Sequence, residues 1–421
     1  MRLLFIHQNF PGQFAHVAPE LARQGHQVVA LAINAGAQRW PGVQVVLHQP
    51  QPRPGDGAGA DPLTREWAAK LARGESAAQA MLQLRRQGFT PDVVMAHPGW
   101  GEALYVRDVF PGCRLLTYAE YFYGSDGGDT AFDPEFDAIP PDFAALRRLR
   151  LKNTHLLHAL AVADEAVAPT QFQRSRHPAV FQDRIRVIHD GIDTDLLQPD
   201  PAARISLAPP GGGAPLVLSR ADEVVSFVAR NLEPYRGYHR FVRALPRLLA
   251  ARPRARVVIV GGDDVSYGAA APAGSTWKQR FLDEVAGELD LQRVHFVGRV
   301  PHLQLRQLMQ VATVHCYLTY PFVLSWSMLE AMSQGCLVLG SRTAPVEEVI
   351  EHGRNGLLVD FFDTEGLADA LADALAQGAQ LDGLRAAARR TVVERYDLRR
   401  QCLPQMLNFL TGATRRDPVA T

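Results

Sequence analysis

Glu330 is the one carboxylate in the run Pro321-Phe322-Val323-Leu324-Ser325-Trp326-Ser327-Met328-Leu329-Glu330-Ala331-Met332-Ser333-Gln334-Gly335. The run reads as an apolar, small-residue helix closed by glycine. The next segment, Cys336 to Gly340, reads as a buried parallel strand. A lone glutamate on such a helix is costly unless it has a partner, and a ligand carrying hydroxyl donors would supply one. A second constellation is Arg230-Asn231-Leu232-Glu233-Pro234-Tyr235-Arg236-Gly237. Here two arginines six apart flank a proline turn just before a helix. Arg230 and Arg236 can converge on a diphosphate, helped by the helix N-terminus; the plainer alternative is a pair of surface arginines. No Gly-x-Gly-x-x-Gly stands at this place, which argues against an ordinary dinucleotide site.

Weaker signals lie at other strand ends. Asn9-Phe10-Pro11-Gly12-Gln13 leaves a strand and enters a helix, and Gly12 lets backbone N–H groups approach a phosphate or sugar closely. His97 ends a buried strand before Pro98-Gly99; it is either a satisfied core histidine or a polar group touching a sugar or acceptor. Glu120 also ends a strand and can act as a base or hydrogen-bond partner. Gly262, in Gly261-Gly262-Asp263-Asp264, and Arg299, in Phe296-Val297-Gly298-Arg299, follow two further strands. There, backbone groups can read the edge of a base while Arg299 stays near phosphates. Asp190-Gly191-Ile192-Asp193 reads most simply as a turn. Asp126, Asp129, Asp133, Glu135 and Asp137 share a loop, but their spacing does not fit the regular calcium loop, so no metal is assigned.

The elements that must position these residues alternate. Leu3 to Ile6 predicts a strand; Phe14, Val17, Ala18 and Leu21 mark one face of a helix; and Val28 to Ile33 predicts the next strand, a βαβ unit. Strands are also expected at 93–96, 114–118, 166–168 and 186–188, with a helix over 142–163. Part of that helix is basic through Arg147, Arg148, Arg150 and Lys152. This is either a solvated face or a patch for an anionic acceptor or membrane. Residues 50–62 read as a mobile surface loop, and 199–215, with Gly211-Gly212-Gly213, as a linker or exposed hairpin. A second alternating set follows, with strands at 224–229, 256–260, 294–297, 313–316, 336–340 and 357–359 and helices at 238–251, 277–288 and 301–311. A last helix is expected over 398–410, then a frayed tail. The boundaries expected are a first domain over 1–198, a linker over 199–222, a second domain over 223–396 and a C-terminal helix and tail over 397–421.

Bulk properties exclude some classes. The 421 residues hold 44 Lys+Arg and 44 Asp+Glu, so nothing supports bulk nucleic-acid binding and any anion site is local. Four cysteines, Cys113, Cys316, Cys336 and Cys402, show neither pairing nor metal spacing, which fits a reducing cytoplasm. The first apolar run is too short for a signal peptide and no run approaches a membrane span, which leaves peripheral contact with the inner membrane face open.

Taken in order, these motifs resemble family-4 retaining glycosyltransferases of glycosyltransferase group 1. The supporting residues are Phe5 to Phe14, Ala96-His97-Pro98-Gly99-Trp100-Gly101-Glu102, Asp190 to Asp193, Arg230 to Gly237, Phe296 to Arg299 and Glu330-Ala331-Met332. The resemblance implies an α/β chain of GT-B architecture, two Rossmann-like doubly wound domains facing a central cleft. It implies a nucleotide-sugar donor held mainly by the second domain, an unidentified sugar acceptor, no cofactor beyond that co-substrate and no metal. Arg230 and Arg236 then match the family's basic pair on the diphosphate, with Arg236 in place of the more usual lysine and the spacing one residue longer. Glu330 matches the second glutamate of Glu-x7-Glu, on the ribose; Gly12 the glycine loop over the phosphates; and His97 the histidine near the donor sugar. One position departs: Phe322 stands where the family has its first glutamate, which contacts sugar hydroxyls. The backbone N–H groups of Val323, Leu324 and Ser325 are the remaining candidates to hold those hydroxyls.

The implied chemistry is departure of a nucleoside diphosphate from an anomeric carbon, with fixed guanidinium groups and helix dipoles stabilising the charge that grows on phosphate. Two other readings stand beside it. Phe322 motivates a catalytically weak protein that binds sugar nucleotides or a partner, and the same fold also carries nucleotide-sugar epimerases.

Overall fold

The computed structural model describes residues 1–36, 39–51, 62–207 and 215–412. The chain divides into two units, one of Met1–Asp190 together with the segment from Arg399 on, the other of Gly191–Leu398.

The first unit is built on seven parallel strands: β1 (Arg2–Ile6), β2 (Gln27–Ala32), β3 (Val43–Leu47), β4 (Val93–Ala96), β5 (Arg114–Tyr118), β6 (Glu165–Ala168) and β7 (Ile185–Val187), in the order β3-β2-β1-β4-β5-β6-β7. Side chains alternate across this sheet. Leu3, Phe5, Val28 and Ala30 pack on one face with the helices Val17–Arg23 and Leu403–Thr411. Leu4, Ile6, Val29 and Leu31 pack on the other with the helix Pro62–Arg86. Burial on both faces explains why β1, β2 and β4 read as continuous apolar runs. The order reverses between β1 and β4, the place where open α/β sheets bind ligands.

The second unit starts with an antiparallel hairpin of β8 (Arg204–Leu207) and β9 (Leu216–Ser219). Its parallel sheet comprises β10 (Val224–Asn231), β11 (Arg256–Gly262), β12 (Val294–Gly298), β13 (Val314–Tyr317), β14 (Leu337–Ser341) and β15 (Leu357–Val359), ordered β12-β11-β10-β13-β14-β15. The reversal here is between β10 and β13. One face packs against helices that include Trp326–Ser333 and Asp382–Arg395, through Met328, Ala331, Met332, Ala388 and Val392.

Several expected boundaries move. The helix anticipated from Phe14 is a 3-10 turn, Gly12–Phe14, followed by the α-helix Val17–Arg23. The helix expected at 277–288 stops at Val285. The one expected from 398 opens as a π turn, Leu398–Cys402, before Leu403–Thr411. β3 and the helix Pro62–Arg86 were not anticipated. β3 is a half-buried edge strand of one apolar run, and the helix is long and Ala-rich with no sharp apolar stripe. Segment 191–222 belongs to the second unit, because Ile192, Leu197, Ile205, Leu207 and Leu218 join its core. The last helix belongs to the first, because Met406, Phe409 and Leu410 join that core. Arg114 fixes this return, donating from Nη1 to the carbonyls of Phe409, Leu410 and Gly412 at 2.9, 3.2 and 3.0 Å. The loop read over 50–62, the run Gly211 to Gly213 and the tail beyond Gly412 fall almost wholly outside the described residues. All four cysteines are buried thiols.

Candidate functional site

In the first unit, three expected residues meet at the carboxyl ends of β1, β4 and β5. Gly12 has φ +49°, and a Cβ there would lie 2.3 Å from His7 Nε2, so the turn closes over the imidazole only because residue 12 has no side chain. The hydrogen bonds set the tautomers. Asn9 N–H donates to His7 Nδ1 at 3.0 Å, so Nε2 carries the proton and donates to Gln13 Oε1 at 2.9 Å. The Gln13 amide then donates to Glu120 Oε1 at 3.0 Å. Gly99 N–H donates to His97 Nδ1 at 3.2 Å, which leaves the proton on Nε2, 3.3 Å from Glu120 Oε2 but without the alignment of a full hydrogen bond. Gly12, His97 and Glu120 are thus joined through His7 and Gln13, two residues the sequence reading passed over within the motif itself.

The imidazole of His97 is held flat between Trp100, at 4.6 Å between ring centroids, and Tyr118, at 5.5 Å. Burial, reinforced by the neighbouring His97, pushes the His7 pKa down to about 3, so that ring stays neutral. Glu102, also in the motif, is 1% exposed with neither carboxylate oxygen well hydrogen-bonded, and burial raises its pKa.

A small cleft, about 60 Å³ in volume, adjoins His97 and Glu120 and is walled by Lys70, Lys152, Tyr121 and Tyr123. Lys70 pairs with Glu66 at 3.1 Å. The Lys152 ammonium sits 3.4 Å over the Tyr123 ring, and burial lowers its pKa while Asp129 opposes the shift. His155, whose Nε2 lies 3.0 Å from Gly99 O, is driven down to about 4 by burial.

In the second unit, the loops after β10, β11, β12 and β13 gather the remaining candidates. Arg230 is exposed, with its guanidinium 6.0 Å from the Tyr267 ring. Arg236 is different: it is 6% exposed, and its Nη1 donates to Thr319 Oγ1 and Val323 O, both at 2.9 Å. One arginine is therefore open to a ligand, whereas the other braces the loop that leads to Glu330. Both flank Tyr267, Arg236 at 5.1 Å. The loop carrying Tyr267 is held by Glu233, fully buried, whose carboxylate accepts the N–H groups of Ser266, Tyr267 and Gly268 at 3.1 to 3.3 Å. Glu233 sits inside the arginine motif, yet nothing local pointed to a loop more than thirty residues on.

Arg299 reaches Asn231 Oδ1 at 2.9 Å and Asp264 Oδ2 at 2.8 Å. Gly262 permits this, because a Cβ there would stand 2.6 Å from Asn231 Oδ1 and 2.7 Å from Arg299 Nε. Glu330 sits midway along the helix Trp326–Ser333, which Ser325 caps by accepting from Ser327 N–H. Its partner within the chain is His302, Nε2 to Oε1 at 3.5 Å, a contact that raises the His302 pKa. The segment after β12 thus supplies both Arg299 and, at the start of the next helix, His302. Of the backbone donors expected to replace the missing carboxylate, Ser325 N–H is already given to Tyr317 OH at 2.7 Å, and Leu324 is buried in the core. Val323 offers its carbonyl to Arg236. Phe322 is 4% exposed and packs edge-on against Tyr235 and Tyr267 at 5.6 and 5.1 Å, which leaves no polar replacement for a glutamate at that position.

Each half of the chain is similar to known proteins. The family model described as "Glycosyl transferase family 4 group" matches residues 24–197, and "Glycosyl transferases group 1" matches 217–391. A D-inositol 3-phosphate glycosyltransferase of Nocardia farcinica is 31% identical over 238 residues, covering 54% of this chain and 49% of that protein. A GDP-mannose-dependent α-(1-6)-phosphatidylinositol monomannoside mannosyltransferase of Mycolicibacterium smegmatis is 26% identical over 247 residues, covering 56% and 59%. The chain spans about half the length of the curated relatives it matches. The crystal structure of Anabaena HepE in complex with UDP-glucose superposes with TM-score 0.65 at 16% identity, covering 98% of this chain and 100% of that one, a likeness of fold. With two Rossmann-like parallel-sheet units and a matching family model on each, the chain belongs to the group 1 glycosyltransferases of GT-B fold.

Proposed function

We propose that this protein moves a sugar from a nucleotide-sugar donor to a hydroxyl of an acceptor, with retention at the anomeric carbon and with guanidinium groups rather than a metal ion meeting the charge of the departing diphosphate. One observation carries the reading. Arg230, the Asn231–Gly262–Arg299 cluster and the Glu330–His302 pair all come from the carboxyl ends of strands of one parallel sheet or from the segments that follow them, beside its reversal of order. In this reading Glu330 exchanges His302 for ribose hydroxyls, and Arg230, the open guanidinium, meets the diphosphate. Arg236 acts by holding the 319–323 loop. The C1–O bond to phosphate breaks as the bond from C1 to the acceptor oxygen forms, and the acceptor proton leaves with the diphosphate or with water.

The acceptor is assigned to the cleft of the first unit. His97 lines this cleft, its ring oriented by Gly99 and Glu120. Lys70 and Lys152 favour an acceptor with an anionic group, consistent with relatives whose names specify inositol phosphate or phosphatidylinositol derivatives.

A thermal-shift screen against a panel of nucleotide sugars tests the reading. A ligand at a hundred times its Kd adds about 2.7 kcal/mol of stability, and Arg230→Ala is expected to remove most of that shift. No response to any nucleotide or nucleotide sugar sinks the proposal. A second reading rests on Phe322, whose burial among aromatic rings leaves the sugar without the usual carboxylate. A stabilising nucleotide combined with neither transfer nor slow donor hydrolysis favours a binding protein instead.

A further inference from the structure

The helix Phe143–Val162 has two unlike halves. From Lys152 on it is tied down: Asn153 exchanges hydrogen bonds with the Tyr123 backbone, His155 meets Gly99 O and His158 meets Leu104 O, and its buried residues are His155, Leu156, Ala159 and Leu160. From Phe143 to Leu151, no residue is buried. Phe143 is 80% exposed, Leu146 38% and Leu151 36%, and Ile139 just before the helix is 55% exposed. Phe143, Leu146, Arg147, Arg150 and Leu151 recur at i, i+3, i+4, i+7 and i+8, which places them on one stripe.

Charge on this stripe is one-sided. The helix holds Arg147, Arg148, Arg150 and Lys152 and not a single Asp or Glu, and Asp142 ahead of it is occupied as the cap, accepting from Ala145 N–H at 2.7 Å. Arg147, Arg148 and Arg150 are exposed, and none of them makes a side-chain hydrogen bond or ion pair to a described residue. Three exposed guanidiniums without a partner among the described residues, interleaved with a phenylalanine and leucines, are unlike an ordinary solvated helix face, which mixes both signs. Arginines flanking apolar side chains on one helix stripe are the composition that seats in a bilayer interface, the rings and leucines among acyl chains and the guanidiniums at lipid phosphates.

We propose that the first half of this helix, Phe143 to Leu151, docks the protein on an anionic membrane surface. The proposal stands apart from the nucleotide-sugar reading, since none of these residues belongs to that site. The same helix carries Lys152 into the cleft of the first unit, so a docked helix would bring that cleft beside the lipid headgroups.

Vesicle co-sedimentation of the full chain provides the test, comparing phosphatidylglycerol–phosphatidylcholine vesicles with pure phosphatidylcholine. Binding is expected to the anionic vesicles alone and to weaken as salt rises. The double variant R147E/R150E should lower the partition coefficient by on the order of 30-fold or more, and F143S/L146S should lower it as well. Circular dichroism and the thermal midpoint should stay as in the parent for both variants, which separates lost docking from lost folding. Equal binding to both vesicle types, no binding to either, or parent-like binding by R147E/R150E overturns the proposal. So does a concentration-dependent dimer in phosphatidylglycerol-free buffer that F143S/L146S dissociates, because a second copy would then cover the stripe.

Discussion

His302 Nε2 lies 3.5 Å from Glu330 Oε1, so the glutamate on the apolar helix has a partner of its own before any ligand arrives. That partner is half exposed and stands at the start of the helix that follows Arg299, so it can yield to a hydroxyl donor without unfolding anything. Glu330→Gln is expected to weaken nucleotide binding by about 10- to 100-fold, the loss of hydrogen bonds to a charged acceptor. Calorimetry with UDP or GDP checks it; an unchanged Kd for whichever nucleotide binds removes Glu330 from the site.

The pair also has a pH signature. Glu330 raises the His302 pKa above 6.5, so its stabilisation is fully present below that value and disappears as pH rises through the raised pKa. The difference in Tm between the parent and His302→Ala should therefore be largest just below pH 6.5 and vanish in alkaline buffer. A difference that grows with pH would contradict the contact.

The two arginines of the motif should separate in mutagenesis. Arg230→Ala leaves Tm nearly unchanged, because the side chain is exposed, and lowers turnover by on the order of 100- to 1,000-fold, the cost of one donor to developing charge. Arg236→Ala strands Thr319 and the Val323 carbonyl in a buried site and should cost about 2 to 3 kcal/mol of stability. Denaturant melts of both variants decide the matter; equal stability losses would mean that Arg236 is not the brace.

At the first turn, Gly12→Ala should destabilise by several kcal/mol in all, since it combines a positive φ with a collision on His7. Gly25→Ala is the control: φ is +86° but nothing lies within 4 Å of the added Cβ, so only the backbone cost of about 1 kcal/mol remains. Similar urea midpoints for the two variants would show that the turn does not rest on His7.

Acid should unfold the protein cooperatively. Burial holds His7 at about 3 and His155, His177, His189 and His315 at about 4, all below the ordinary 6.5. A depressed histidine contributes stability above 6.5 that is lost as pH falls toward the folded-state value, at up to about 1.4 kcal/mol per pH unit for each ring. The Tm profile should therefore fall steeply between pH 6.5 and 4; a flat profile across that window would mean that these rings titrate freely in the folded state.

Much of this architecture is legible in the chain alone. β1, β2 and β4 announce themselves because apolar side chains are needed on both faces, and the order of motifs identifies the family through residues that sit next to one another. β3 escapes such reading because an edge strand is only half buried, and the helix Pro62–Arg86 because its apolar stripe is diffuse. Gly12 and His97 stand out as types at strand ends, but the hydrogen-bonded path from His7 through Gln13 to Glu120 spans 113 residues and needs β1, β4 and β5 to lie side by side.

What the sequence by itself determined is the alternation of strands and helices, the loops that hold chemistry, and the identity of each polar group offered there. Only the tertiary structure decided which of those groups are already engaged: Arg236 with the 319–323 loop, Glu233 with Ser266 to Gly268, and Glu330 with His302. The reason is geometric. Periodicity and local motifs record interactions among residues a few positions apart, whereas the partner of a buried charge is chosen by the order of strands in a sheet, which places chain segments many residues apart within hydrogen-bond reach.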